Sequence, residues 1–137
     1  MVKKHRAEDR IRESGPGLTW VDPATGLEWQ CVSPGHMTWD EAMAYAGSLS
    51  LAGRSDWRLP AVQELESLLD RSIYRPEMRP EVPFRDTCAY WSATTFGSDG
   101  NTAWIVMFDG AYVLSYYKTN RYFVRCLRGV PGSVAPK

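Results

Sequence analysis

The sequence predicts an α+β domain on three observations. Helical and extended patterns are segregated along the chain instead of alternating, which argues against βαβ units. Two helical patterns fall together over residues 38–70, and strand patterns with turn signals fill 89–128. Between them lies a proline-rich stretch, Arg75-Pro76 through Pro80 to Pro83-Phe84, which suits neither a helix interior nor a central strand. The expected order is two strands, two helices, a long irregular segment and an antiparallel meander.

Residues 1–17 are polar and charged, end on Gly15-Pro16-Gly17 and read as a flexible tail. One domain is expected over 18–130, with a frayed end over 131–137. Leu18 to Val21, Asp22-Pro23-Ala24-Thr25-Gly26 and Leu27 to Cys31 read as strand, turn and strand. Trp20, Leu27, Trp29 and Cys31 would point inward. Thr38-Trp39-Asp40-Glu41 is a capping-box pattern, with Glu41 placed to reach back to the Thr38 backbone. Trp39, Ala42, Met43, Ala46 and Leu49 follow at helical spacing, and Gly53 is the expected stop.

Asp56-Trp57-Arg58-Leu59-Pro60 reads as an extended segment that buries Trp57 and turns into a second helix over 61–70. Pro60 suits the first turn, where its missing N–H has no intrahelical partner. Val62, Leu65, Leu68 and Leu69 form the apolar face, while Glu64 and Glu66 are expected on solvated faces. Arg58 is expected to be buried with its guanidinium on loop carbonyls. Farther on, Tyr90 to Thr95 reads as a strand and Ser98 to Asn101 as a loop. Ala103 to Phe108 and Ala111 to Tyr117 flank Asp109-Gly110, the strongest hairpin signal in the chain. Trp104, Val106 and Phe108 face one side of their strand, with Ile105 and Met107 on the other, so that strand should be buried on both faces. Lys118-Thr119-Asn120 forms a turn before a closing strand over Tyr122 to Arg128.

Composition narrows the function classes. At 137 residues the chain can bury a core without disulfide or metal staples. Six Trp, seven Tyr and four Phe are more than a core this size hides easily, so an aromatic surface patch is expected. No apolar run is long enough for a membrane span. The N-terminus is basic without a following apolar region, which favours the cytoplasm, or the outside of the cell if a signal has been removed.

Charge sums to zero but is uneven: residues 111–137 carry five basic groups and no acidic one, whereas 14–110 carry six basic and thirteen acidic. The C-terminal segment therefore either meets an anionic partner or pairs with its own domain. Neutral net charge and the lack of a known motif argue against nucleic acid. Cys31, Cys88 and Cys126 form either one disulfide and one thiol or three thiols, the second being favoured without a signal. Their spacing does not suggest zinc.

Several elements together resemble the Lcl C-terminal domain family, long known as a domain of unknown function. They are Thr25-Gly26-Leu27-Glu28-Trp29-Gln30, Thr38-Trp39-Asp40-Glu41-Ala42, Asp56-Trp57-Arg58-Leu59-Pro60 with Glu64-Leu65, Tyr90-Trp91-Ser92 and Val124-Arg125-Cys126-Leu127-Arg128-Gly129. The resemblance covers about residues 18–129. It implies a C-type-lectin-like fold, related in outline to formylglycine-generating-enzyme-like domains, with two helices packed on small antiparallel sheets and a long irregular loop region. The family's first helix often carries a cysteine near Ala46 that would pair with the closing-strand cysteine. Alanine at that place implies that Cys126 stays a thiol.

The candidate chemistries separate on residue supply. The calcium-binding loops of lectins are absent, and Asp99 with Asn101 offers at most two oxygen ligands, so no metal or other cofactor is expected. Paired C-terminal cysteines, as in the enzymes distantly resembled, are absent too, and the two histidines, His5 and His36, offer no partner for Cys126. No catalytic residue is assigned, and the formylglycine-generating-like enzyme stands as a distant third reading. What remains is non-enzymatic recognition by the meander and its loops, with Asp99, Asn101, Tyr112, Tyr116, Tyr117, Lys118, Asn120 and Arg121 as the ligand-binding set. Tyrosine and asparagine there combine apolar and polar contact at little entropic cost. The resemblance implies a glycan ligand, anionic if Lys118 and Arg121 carry it, and an adhesion role. The alternative partner is a protein surface, with the domain as a variable receptor diversified by a retroelement.

Overall fold

In a computed structural model of the protein, the described residues are 17–129 without Arg75 and Asp86. Expectations for residues 1–16 and 131–137 lie outside the described residues. The fold is α+β, with two helices and three small sheets among the described residues. Strands β1 (Thr19–Val21) and β2 (Glu28–Gln30) pair antiparallel, as the turn signal predicts. Asp22 shapes that turn: its carboxylate accepts the Ala24 N–H and its carbonyl accepts the Gly26 N–H. After β3 (His36–Met37) comes helix α1 (Trp39–Ser48), opened by the expected capping box. The Glu41 N–H donates to Thr38 Oγ1 at 3.3 Å, and the Thr38 N–H donates to Glu41 at 2.9 Å. Ala42 and Ala46 are buried, but Met43 is exposed and the helix ends at Ser48, before Gly53.

The second helix is a correction to the sequence reading. Helix α2 spans only Val62–Glu66, and Ala61 takes the N-cap position, so Pro60 precedes the helix instead of sitting in its first turn. Leu69–Asp70 then forms β4, paired antiparallel with β5 (Glu77–Met78). Val62, Leu65, Leu68 and Leu69 are all buried, as the helical spacing predicts; the chain reaches the same core by a helical turn followed by a strand. Glu64 is not solvated. It is buried, and its carboxylate accepts both terminal nitrogens of Arg58, at 2.8 and 2.7 Å, and the Ala61 N–H at 2.7 Å. Arg58 is correspondingly half-exposed. It reaches one loop carbonyl, that of Gly129, and its main partner is Glu64.

Proline removes backbone donors from the segment after β4, and arginines supply replacements. Arg85 donates to the carbonyls of Met78, Arg79 and Val82. Arg79 pairs with Glu81 and with the fully buried Asp22, anchoring the segment to the β1–β2 turn.

The five-stranded sheet has the order β3-β9-β6-β7-β8, where β6 is Ala89–Phe96, β7 Thr102–Met107, β8 Tyr112–Tyr117 and β9 Tyr122–Phe123. Its two faces bury different cores. Trp91 and Ile105 join Ala42, Ala46, Trp57 and Cys126 on the α1 side, while Tyr90 and Val106 join Trp29, Leu65 and Phe84 on the other. This is the two-sided burial expected of the Trp104 strand.

Two details depart from expectation. The β7–β8 hairpin closes with four residues, Phe108 to Ala111, with positive φ at Gly110 (93°) and Ala111 (60°), so Asp109-Gly110 forms only its centre. The closing strand is divided: β9 pairs with β3 and runs parallel to β6, and the chain then crosses to β10 (Leu127–Arg128), which joins β2. One seven-residue stretch thus ties both larger sheets together.

Candidate functional site

Directly opposed residues in an antiparallel pair share a face. The β7–β8 register sets Tyr117 opposite Thr102, Tyr116 opposite Ala103 and Tyr112 opposite Met107. Tyr112 and Tyr116 therefore lie on the α1 face, and Tyr117 on the other. Tyr117 lies five positions beyond Tyr112, roughly 17 Å of strand. Tyr112 consequently stands at the far end of the sheet from the other seven expected binding residues.

At the near end, two loops meet. Asp99 accepts the Asn101 N–H at 3.1 Å, and the Asn101 carbonyl accepts the Lys118 N–H at 3.0 Å. On the face away from α1, Phe96 packs edge-on against Trp104 at 4.9 Å between centroids. Beside them Phe96, Asp99, Thr102, Ser115 and Tyr117 line an open cleft of about 290 Å³. Phe96 is 47% exposed and Tyr117 65%, which leaves both rings available to a ligand.

The opposite face is already committed to the domain. Trp91 and Tyr116 both pack against Tyr122, at 5.0 and 5.7 Å. Burial, and secondarily Tyr116, pushes the Tyr122 hydroxyl pKa up, while a hydrogen bond from the Asn120 side chain holds it back. Lys118 Nζ stands 3.9 Å over the Trp39 ring. Arg121 donates to His36 Nδ1 and to the His36 carbonyl, both at 3.3 Å, and lies 3.5 Å from the Glu41 carboxylate. The two cations expected to meet an anionic ligand thus already have partners on α1 and β3, while both remain at the surface.

A larger cleft, about 600 Å³, opens at the other end of the sheet between Tyr74, Glu77, Thr87, Phe108, Asp109 and Tyr112. Tyr112 belongs there. Sequence reasoning missed Phe96, Tyr74 and Glu77. Phe96 reaches its place because the β6–β7 register shifts between Trp91 and Thr95, and a bulge of that kind leaves no periodic signal. Glu77 sits in the proline-rich stretch and Tyr74 just before it, where no periodicity predicts a facing partner.

Among the described residues, no three His, Cys, Asp or Glu side chains converge as metal ligands. Among the same residues, no helix is long and apolar enough to cross a membrane. The Cys126 thiol is fully buried, and burial pushes its pKa up to about 12, which keeps it protonated and unreactive. The open cleft therefore offers aromatic faces, hydroxyls and one carboxylate.

The residues that carry the family resemblance have separate duties. Asp56 accepts two hydrogen bonds from Arg128, which also pairs with Glu28. The Trp57 indole N–H donates to the Leu51 carbonyl, and the Arg58 backbone exchanges hydrogen bonds with Leu127. The Trp91 and Trp39 indoles donate to the Met37 and Ser92 carbonyls. All of these contacts hold the sheets and helices to one another. No curated protein matches the chain. The Lcl C-terminal domain family model matches residues 18–128, and the chain belongs to that family.

Proposed function

We propose that the domain is a non-enzymatic recognition module that binds glycan in the cleft between Phe96, Asp99 and Tyr117. The observation that carries this reading is the pair of exposed rings beside an exposed carboxylate at one end of a rigid sheet. Sugar C–H faces stack on aromatic rings, and sugar hydroxyls donate to carboxylates. The prior engagement of Lys118 and Arg121 favours a neutral sugar over an anionic one. A C-type-lectin-like arrangement goes with this reading, supported by the β1-β2-β10 sheet, which joins the first strands to the last, and by the long irregular segment.

The test is an array of neutral, sulfated and uronate glycans, followed by calorimetry on the hits. A neutral ligand is expected, with affinity unchanged as ionic strength rises severalfold. Tyr117→Ala should weaken it about tenfold, equivalent to about 1.4 kcal/mol. Unchanged affinity in Tyr117→Ala and Phe96→Ala would remove the cleft from the argument. A steep salt dependence would shift the site to Lys118 and Arg121.

A second reading is supported by strand order. Strand β8 is an edge with exposed Tyr112 and Tyr117, the kind of surface to which a partner protein adds a strand. A template repeat and reverse transcriptase beside the gene would make this domain the diversified receptor.

A further inference from the structure

A second cleft, also about 290 Å³, lies between the end of β2 and the start of β6, well away from the proposed glycan site. Cys31, Val32, Ser33, Cys88, Tyr90, Phe123 and Arg125 line it, so two of the three cysteines open into one concavity. Both are partly exposed and pack against the same core, whereas Cys126 is fully buried behind the sheet. The base of the cleft is held rigidly. Arg125, almost fully buried, donates to the carbonyls of Gln30 and Cys31 at 2.8 and 2.7 Å and to the Tyr90 hydroxyl at 3.1 Å. Its guanidinium also lies over the rings of Phe84 and Tyr90, at 3.8 and 5.3 Å. One residue thus fixes both walls, the backbone at Cys31 and the strand two residues beyond Cys88. Burial pushes the Cys31 thiol pKa up, and the Arg125 charge offsets only part of that rise.

We propose that this cleft is a thiol–disulfide exchange site in which Cys31 and Cys88 close a bond at the expense of a small-molecule disulfide such as oxidised glutathione. One cysteine thiolate attacks the small disulfide, forming a mixed disulfide and releasing one small thiol. The second cysteine thiolate then displaces the other, so the protein loses two electrons and two protons and the oxidant becomes two thiols. The closed bond links the β1-β2-β10 sheet to the five-stranded sheet across the mouth of the cleft.

The experiment incubates the native full chain with oxidised glutathione, quenches by alkylation, and then maps peptides and titrates the remaining thiols after unfolding. The thiol count is expected to fall from three to one. The Cys31 and Cys88 peptides should be joined, with Cys126 alkylated only after unfolding. The thermal midpoint should rise by several degrees and return with dithiothreitol. In Cys31→Ser, the mixed disulfide should stay trapped on Cys88, and in Cys88→Ser on Cys31. Stable glutathione adducts on both cysteines of the native chain without a cross-link overturn the proposal, because the sulfurs then cannot meet. A bond involving Cys126, or no reaction at all, overturns it equally. None of these outcomes bears on glycan binding.

Discussion

Replacing Glu64 by Gln tests the strongest polar contact at the start of α2. Three donors converge on this carboxylate within 2.8 Å, and Glu64 is only 7% exposed. Glutamine keeps one acceptor oxygen and turns an N–H₂ group toward a donor, so at least one charge-assisted hydrogen bond is lost. Such a bond contributes about 1.5–3 kcal/mol. The Arg58 side chain is 41% exposed, so water recovers part of its loss and the lower half of that range applies, about 2 kcal/mol. For a domain of this size that corresponds to a melting midpoint lower by roughly 6–10 °C.

Urea unfolding followed by tryptophan fluorescence measures the difference. A double-mutant cycle with Arg58→Met should give a coupling of about 1–2 kcal/mol. Acid provides an independent check. Burial alone would raise the Glu64 pKa, but the Arg58 hydrogen bonds and the Ala61 N–H outweigh it, and the folded carboxyl titrates below its ordinary value. Its contribution is therefore complete above the unfolded pKa of about 4.3 and disappears as pH falls through the lower folded value. The gap between wild type and Glu64→Gln should be constant near neutrality and close in acid. Equal stability of the two proteins at pH 7 would refute the assignment.

Three further outcomes follow from the same contacts. Asp22→Ala removes the partner of Arg79 in the interior and should destabilise by about 3–5 kcal/mol in urea; a loss under about 1 kcal/mol would show that Glu81 alone satisfies Arg79. Thr38→Ala removes the side-chain half of the α1 capping box and should cost about 1 kcal/mol by the same assay, with far-UV circular dichroism otherwise unchanged. Ellman's reagent at pH 8 should modify Cys31 and Cys88 in the native protein and Cys126 only at the rate of unfolding, since its thiol is buried and its pKa pushed up to about 12; rapid native reaction at Cys126 would contradict that burial.

Local chemistry made the α1 cap, the β1–β2 hairpin and the two-sided Trp104 strand legible in the sequence, because each depends on residues within a few positions of one another. The failures have a common origin in pairings that no local period encodes. Helix α2 stops after five residues, and Leu69 and Asp70 pair instead with Met78 and Glu77, inside the proline-rich stretch. Glu64 reads as a solvated helix position until Arg58 lies beside it. The final strand looks continuous, yet Phe123 belongs to one sheet and Leu127 to another. At the candidate site, the exposure of Tyr117 follows from β8 being an edge, which sequence alternation does not reveal. The two cations looked available because His36, Trp39 and Glu41 lie some 80 residues earlier in the chain.

This division bears on what family membership says about function. Asp56, Trp57, Arg58, Glu64, Trp91 and Arg128 each use their polar atoms on another part of the same chain. A ligand recruiting any of them would have to break a contact that joins two elements, and for the buried groups that costs several kcal/mol. The matched motifs therefore describe how the frame is held. The recognition proposed above falls instead to side chains outside that frame, chiefly those of the 97–101 loop and the outer strand β8. Gly97, Gly100 and Gly110 adopt positive φ and keep those connections tight, while Asp99 and Tyr117 are exposed and Phe96 keeps one edge-on contact with Trp104. Exchanging Asp99 and Tyr117 together should alter the ligand while leaving the urea midpoint within experimental error of wild type. A large loss of stability instead would mean that the exposed end of the sheet also helps to hold the domain together.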